Sequence, residues 1–139
     1  MMDLKDIIRE EMEAINRRDF DKVRELKHED YSFTGPDGQK HQGKQAGIEL
    51  AEFYIHSFPD LHFEIKHMIT EGNEVVVEYI TSGTHQGELL GISPTYRKGE
   101  IPVCSIFEIR DEKIYAERQY FDNASILSQL GIEIGHEHA

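Results

Sequence analysis

The chain has 139 residues and a formal net charge of −12 at pH 7, from 27 acidic and 15 basic side chains. This length suits a single domain with one hydrophobic core, and the acidic surface disfavours binding to nucleic acid or to anionic lipid head groups. Apolar runs are only a few residues long, so a membrane-spanning segment, which needs about 20 apolar residues, is not expected.

The cysteine and histidine content limits the disulfides and metal sites that this chain is able to form. Cys104 is the single cysteine, which rules out an intramolecular disulfide and a cysteine zinc cluster. Two of the eight histidines, His62 and His67, lie five apart on a predicted strand and face opposite sides. No glycine-rich phosphate-binding motif is present, so we expect neither a metal site nor a cofactor. The acidic N-terminus lacks the features of a secretory signal, so we expect a cytoplasmic protein.

Three helices are predicted from apolar residues spaced at three and four positions. They cover residues 3–17, a short segment that begins at Phe20, and residues 44–58. The first two are separated by a polar break at residues 16–19, where Asp19 is able to cap the second helix. Pro59 ends the third helix.

After the third helix the spacing of apolar residues changes to two, which is typical of strands. The predicted strands cover residues 31–34, 61–66, 75–81, 101–109 and 114–121. Turn residues at 35–38 close the first strand, and those at 71–74 join the second to the third. Residues 87–99 are predicted as a loop. A short last helix begins after a cap at Asp122 or Asn123 and ends at Gly131.

Helices that precede a run of hairpin-linked strands indicate an α+β fold with an antiparallel sheet, and they disfavour a parallel nucleotide-binding sheet. We assign residues 1–132 to one domain. Residues 133–139 are predicted to form a flexible C-terminal tail.

Four short sequence motifs between about residue 58 and residue 131 indicate a family resemblance that extends over nearly the whole chain. They are FPDL at residues 58–61, GTHQGE at 83–88, GISPT at 91–95, and the segment 117–131. In combination they resemble the SnoaL-like polyketide cyclases and related ester cyclases of the nuclear transport factor 2-like superfamily. The resemblance implies a cystatin-like cone, in which a curved antiparallel or mixed sheet wraps round three N-terminal helices. The open end of such a cone admits a small apolar ligand.

The sequence departs from that family at two places. Tyr96 stands where a second glycine is common, and the segment 103–108 lacks the histidine that partners the catalytic aspartate in the cyclases. The first departure implies a reshaped rim of the pocket. The second implies that the cyclase pair is incomplete.

The resemblance implies that Asp122 is the general acid/base. This chemistry is reasonable because a carboxylate in an apolar pocket has a raised pKa. The alternative role of Asp122 is to cap the last helix. His85, at the end of a strand, is the expected second catalytic group at the pocket mouth, or else a rim residue that hydrogen bonds to the loop.

Strand alternation places either Gln119 or Arg118 inside the pocket, and the sequence leaves this parity open. An inward Gln119 would bind a carbonyl oxygen, whereas an inward Arg118 would pair with Asp122 and lower its pKa. The expected substrate-binding residues are Tyr31, Phe33, Tyr54, Phe58, Tyr79, Cys104, Phe107 and Gln119. Cys104 is expected as a buried filler of its apolar strand.

Three functions are consistent with these features. The first is a cofactor-independent cyclase, isomerase or lyase that acts on a small apolar carbonyl compound. The second is a non-catalytic protein that binds a hydrophobic small molecule in the same pocket. The third is a dimerisation module. A homodimer through the outer sheet face is expected in every case, with neither nucleic acid nor membrane as a partner.

Overall fold

The computed structural model describes residues 3–132, which form four helices and one six-stranded sheet. The helices are α1 (Leu4–Asn16), α2 (Phe20–Leu26), α3 (Lys44–Ser57) and α4 (Asn123–Gln129). The strands are β1 (Lys27–Thr34), β2 (Lys40–Gln42), β3 (His62–Glu71), β4 (Glu74–Thr84), β5 (Lys98–Arg110) and β6 (Lys113–Tyr120). The tail predicted at residues 133–139 lies outside the described residues.

The first two helices meet at the predicted break. α1 is amphipathic and buries Ile8 and Met12 in the main core. Arg18 adopts a left-handed φ of 63° between the two helices. Its guanidinium group donates hydrogen bonds to the carbonyl oxygens of Pro59 at 2.8 Å and Leu61 at 2.9 Å. These hydrogen bonds connect the helix break to the residues that precede β3.

The strand order of the sheet is β2-β1-β6-β5-β4-β3. Neighbouring strands are antiparallel except β1 and β6, which run parallel, so the sheet is mixed. Parallel neighbours need a long crossover connection, which here includes α3 and four further strands. Register shifts between Ile65 and His67 in β3, and between Ile114 and Ala116 in β6, increase the local twist.

Side chains alternate across the sheet, as strand geometry requires. On β5, Ile101, Val103 and Phe107 are buried on the inner side, whereas Pro102 and Cys104 lie on the outer side. The inner side chains of β4, β5 and β6 pack with those of α1 to form the main hydrophobic core. The interior is therefore the space between the sheet and the helices.

The predicted α+β class is confirmed, and the mixed sheet fits the predicted cone. β1 begins at Lys27, four residues before the predicted start at residue 31. The prediction missed these residues because they are polar and do not show the apolar pattern of a strand. The sequence does not indicate β2, whose three residues are all polar and exposed. Within residues 3–132, no helix has the length and apolar character needed to cross a membrane.

Gly87 packs directly on the C-terminal end of α3. A Cβ atom at this position would overlap the carbonyl oxygen of His56, a backbone atom that cannot move aside. We expect Gly87→Ala to lower the free energy of unfolding by about 1–3 kcal/mol, the usual cost of overpacking, in urea denaturation. Gly35→Ala is the control, because a Cβ there meets only ordinary contacts from 3.5 Å. Equal stability of the two variants would contradict this close approach.

Candidate active site

A cavity of about 130 Å³ lies between the inner face of the sheet and the helices. Since a single water needs only about 10–15 Å³ of such space, the cavity has room for a small organic molecule. Its walls are mostly apolar and include Met12, Phe33, Leu50, Phe63 and Ile126. At one part of the wall, polar side chains are linked to one another by hydrogen bonds and close contacts. The polar cluster comprises Glu11, Lys27, Tyr31, Tyr79, Ser105, Glu117 and Gln119.

Glu117 is the centre of the polar cluster. It lies on β6, faces the inner side of the sheet and lines the cavity. The hydroxyl group of Tyr31 donates a hydrogen bond to Oε1 at 3.3 Å, and that of Ser105 donates one to Oε2 at 3.2 Å. Both carboxyl oxygens are therefore held, which fixes the carboxyl group at the cavity wall.

A chain of hydrogen bonds runs from Gln119 to Glu117. The Nε2 atom of Gln119 donates to the hydroxyl oxygen of Tyr79 at 2.8 Å, and this hydroxyl lies 2.9 Å from Oγ of Ser105. Because Ser105 donates its proton to Glu117, Tyr79 donates its own to Ser105. Burial raises the pKa of the Tyr31 and Tyr79 hydroxyls, so both remain donors at neutral pH. All these donors point toward the carboxyl group and favour its ionised form.

Lys27 and Glu11 form an ion pair in the same cavity. Their side chains are only 4% and 3% exposed, and Nζ of Lys27 lies 2.7 Å from Oε2 of Glu11. Nζ also lies 4.2 Å from the centre of the Tyr31 ring, which is a cation–π contact. Because burial of a lone charge is costly, removal of either member alone would leave an uncompensated charge in the cavity.

Burial in the apolar cavity is the largest cause of the raised pKa of Glu117, and the negative charge of Glu11 adds to it. The Lys27 ammonium group and the hydrogen bonds from Ser105 and Tyr31 act in the opposite direction. On balance the pKa of the Glu117 carboxyl rises from 4.5 to about 7. Near neutral pH this group is able to accept and to release a proton, as a general acid/base must.

The structure places Asp122 outside the cavity, so the expectation that its carboxylate faces the pocket is wrong. Asp122 is exposed, and its Oδ1 accepts a hydrogen bond from the backbone N–H of Ala124 at 3.0 Å, as the cap of α4. The preceding residue, Phe121, points inward and lines the cavity. Arg118 does not pair with Asp122, since its guanidinium group lies 3.9 Å from Glu74.

His85 is fully buried, yet it does not line the cavity. Its Nδ1 accepts a hydrogen bond from the backbone N–H of Thr95 at 3.1 Å and lies 3.0 Å from the hydroxyl of the same residue. The imidazole ring packs on Phe58, with 5.7 Å between ring centres. The alternative role, a histidine that holds the neighbouring loop, therefore fits the structure better than a position at the pocket mouth.

Seven of the eight expected substrate-binding residues line the cavity: Tyr31, Phe33, Tyr54, Phe58, Tyr79, Phe107 and Gln119. Cys104 is the exception, and its expected position is wrong. It is half-buried on the outer face of β5, paired in register with Glu78 and Tyr120, and burial raises the pKa of its thiol. Strand alternation explains the error, because Val103 and Ser105 take the inner positions.

No functional role was predicted from the sequence for Glu117, Glu11 or Lys27. Once Gln119 is known to face inward, Glu117 must do so too, since the two lie two residues apart on one strand. Charged residues on a helix or strand are usually solvated, so Glu11 and Lys27 gave no signal of burial. Within residues 3–132, histidine, cysteine and acidic side chains form no group of three that could hold a metal ion.

A curved mixed sheet that packs on helices round an apolar cavity places this chain among proteins with the nuclear transport factor 2-like fold. The family model described as SnoaL-like polyketide cyclase matches residues 5–130. The chain therefore belongs to the SnoaL-like polyketide cyclase family, and the resemblance seen in the sequence is confirmed. No curated protein matches this chain.

Solved structures share the fold over most of their length. IdmH from Streptomyces antibioticus, a candidate polyketide cyclase, is 26% identical, with 94% of this chain and 100% of that chain covered and a TM-score of 0.86. A candidate SnoaL-like cyclase from Jannaschia sp. CCS1 is 18% identical over 94% and 93%, with a TM-score of 0.86. AclR from Streptomyces galilaeus, a candidate hydroxylase, is 23% identical over 92% and 80%, with a TM-score of 0.83. The fold is common to proteins named for different reactions.

The raised pKa of Glu117 makes stability depend on pH. The folded chain binds more protons than the unfolded chain between pH 4.5 and about 7, so the free energy of unfolding falls as pH rises through this range. We expect Glu117→Gln to lack this loss and to gain stability relative to the wild type from pH 4.5 to 7. Urea denaturation at several pH values measures the difference.

The control for this experiment is Glu74→Gln, a substitution on the partly exposed partner of Arg118. Its stability should follow that of the wild type across the same range. A constant difference between the wild type and Glu117→Gln at all pH values would contradict the raised pKa.

Proposed function

We propose that this protein is a small-molecule enzyme of the cyclase or isomerase type, in which Glu117 acts as general acid/base on an apolar carbonyl compound. The observation that carries the proposal is a carboxyl group with a pKa of about 7 at the wall of an apolar cavity. Such a pKa suits proton transfer at neutral pH, and the cavity excludes the charged solutes that would compete for it.

The reaction begins with the ionised Glu117 taking a proton from a carbon next to the substrate carbonyl group. The C–H electron pair then moves into the carbonyl group, which becomes an enolate, while Glu117 becomes the neutral acid. Where the substrate carries a C=C bond conjugated with the enolate, return of the proton to the far carbon of that bond re-forms the carbonyl group and completes an isomerisation. Alternatively, the enolate carbon attacks a second carbonyl carbon of the same molecule, and Glu117 gives its proton to the resulting alkoxide, which closes a ring.

Two further features support this assignment. Hydrogen bonds from Tyr31 and Ser105 hold both oxygens of Glu117, so that the carboxyl group is oriented before the substrate enters. The amide group of Gln119 lies on the same face of β6 and lines the cavity, where it can bind a substrate oxygen. The candidate cyclase names of IdmH and the Jannaschia protein agree with this class of reaction.

A non-catalytic binding protein is the second candidate function. The observation that favours it is the position of His85, which lies outside the cavity and so provides no second acid/base for the site. In this case the apolar walls hold a hydrophobic molecule, and the polar cluster serves to orient it.

Hydrogen exchange in an apolar ketone distinguishes the two functions. With 2-tetralone in deuterium oxide, the wild type should accelerate loss of the α-hydrogen signals in the proton NMR spectrum. Glu117→Gln should slow this exchange by about 10²–10⁴-fold, the usual contribution of a general acid/base. Asp122→Asn is the matched control, because its carboxylate caps α4 outside the cavity, and it should retain the wild-type rate. Exchange by Glu117→Gln at the wild-type rate would contradict the catalytic role.

We also infer that two copies of the chain associate through the outer sheet face. Val76 and Ile106 pair in register on this face, and Ile80 pairs with Pro102 on the far side of the Glu78–Cys104 pair. Tyr120, which is 50% exposed, extends the apolar surface on β6. Apolar side chains at neighbouring positions of an open sheet face are typical of an interface.

Sedimentation velocity tests this association. The wild type should sediment as a dimer and Ile106→Glu as a monomer, because the substitution places a charge in the centre of the apolar face. Phe53→Glu, at a 42% exposed apolar residue of α3, is the control and should remain a dimer. A monomeric wild type would contradict the inference.

A further inference from the structure

We propose that the ammonium group of Lys27, held by Glu11, forms a subsite of the cavity that binds one anionic oxygen carried by an apolar ligand. The inference rests on the proposed function in one respect, namely that during turnover the bound oxygen is that of the enolate. Binding of such an oxygen is a property of the subsite itself and is measurable without any reaction.

The hydrogen-bonding capacity of Lys27 is only partly used. An ammonium group has three N–H donors, and one of them bonds to Oε2 of Glu11 at 2.7 Å. Among the residues that the structure describes, no second acceptor lies within hydrogen-bonding distance of Nζ. Because Lys27 lines the cavity, its remaining N–H groups are available to a ligand oxygen.

Lys27 packs closely against α3, which holds its side chain in place at the cavity wall. Its side chain passes Gly47 of α3, where a Cβ atom would lie 3.1 Å from Cε of Lys27 and 2.9 Å from Cε2 of Tyr31. A buried ion pair adds little to stability compared with apolar side chains of the same size. Stability therefore gives no reason for a lysine at a cavity wall that is otherwise largely apolar.

The charges that face the subsite are compatible with an anionic oxygen during the reaction. Glu11 on α1 and Lys27 on β1 cancel each other, and Tyr31 and Tyr79 are neutral donors. The other acidic residues of the cavity lining are Glu117 on β6 and the exposed Glu100 on β5. When Glu117 takes a proton from a substrate carbon it becomes neutral, and the negative charge moves to the substrate oxygen beside Lys27. The total charge of the cavity is unchanged, and the new anion lies next to a fixed cation.

The probe is 2-naphthol, an apolar ring system with one ionisable oxygen whose absorbance differs between the neutral and ionised forms. The titration uses the Glu117→Gln variant, so that ionisation of Glu117 does not enter the measurement. We expect the pKa of the 2-naphthol hydroxyl group to be about 1 unit lower in the bound state than in buffer, because a nearby opposite charge stabilises the anion. At a given pH the ratio of ionised to neutral probe is then about tenfold larger in the bound state.

The comparison variant combines Glu117→Gln with Lys27→Met and Glu11→Leu, which replaces the ion pair by apolar side chains and leaves no lone buried charge. In this variant bound 2-naphthol should ionise at a higher pH than in buffer, because the apolar walls disfavour the anion. Naphthalene, which carries no oxygen, should bind both variants with the same affinity and so reports on the intact cavity.

The proposal is overturned if 2-naphthol bound to Glu117→Gln ionises at or above its pH in buffer, and this result needs no other variant to fold. It is also overturned if both variants ionise the probe at the same pH, or if naphthalene binds and 2-naphthol does not. Failure of the proposed function gives a different pattern, namely ketone exchange that survives Glu117→Gln while the titration still depends on Lys27.

Discussion

Burial of the Glu117 carboxyl group, with a hydrogen bond to each of its oxygens, is the interaction on which the account of this protein depends. Two opposing effects act on that group. The apolar cavity and the charge of Glu11 favour the neutral acid, whereas Lys27, Tyr31 and Ser105 favour the carboxylate. Because burial and the charge of Glu11 outweigh the groups that favour the carboxylate, the pKa rises from 4.5 to about 7, and proton transfer in both directions is possible near neutral pH.

The fold supplies this balance by bringing four separate elements to one wall. β1 runs parallel to β6, and the register that pairs Phe33 with Glu117 leaves Tyr31 close to the carboxyl group. α1 adds Glu11 from the helical layer, and β5 adds Ser105 from the neighbouring strand. The inner face of the same sheet forms the apolar walls. The polar cluster and the binding cavity are thus products of one topology, with no separate loop dedicated to either.

Much of the fold could be predicted from the sequence, because helices and strands bury one face with a regular period. This periodicity located α1, α3 and the hairpin strands. Seven aromatic or polar side chains were also correctly predicted to line the cavity. The periodicity could not give the parity of β6, since a register shift beside residues 108 and 109 moves every later side chain to the other face. Asp122 was expected inside because of the family resemblance, although Phe121 lines the cavity and Asp122 caps α4. Buried charges such as Glu11 and Lys27 leave no periodic signal at all.

The most direct test of this account is the titration of the Glu117 carboxyl carbon itself, followed by ¹³C NMR on glutamate-labelled protein and assigned with the Glu117→Gln variant. The account predicts a midpoint near pH 7 for that one resonance. A midpoint at the ordinary glutamate value of 4.5 would show that burial in the cavity does not raise the pKa of this carboxyl group, and the proposed chemistry would then have no basis.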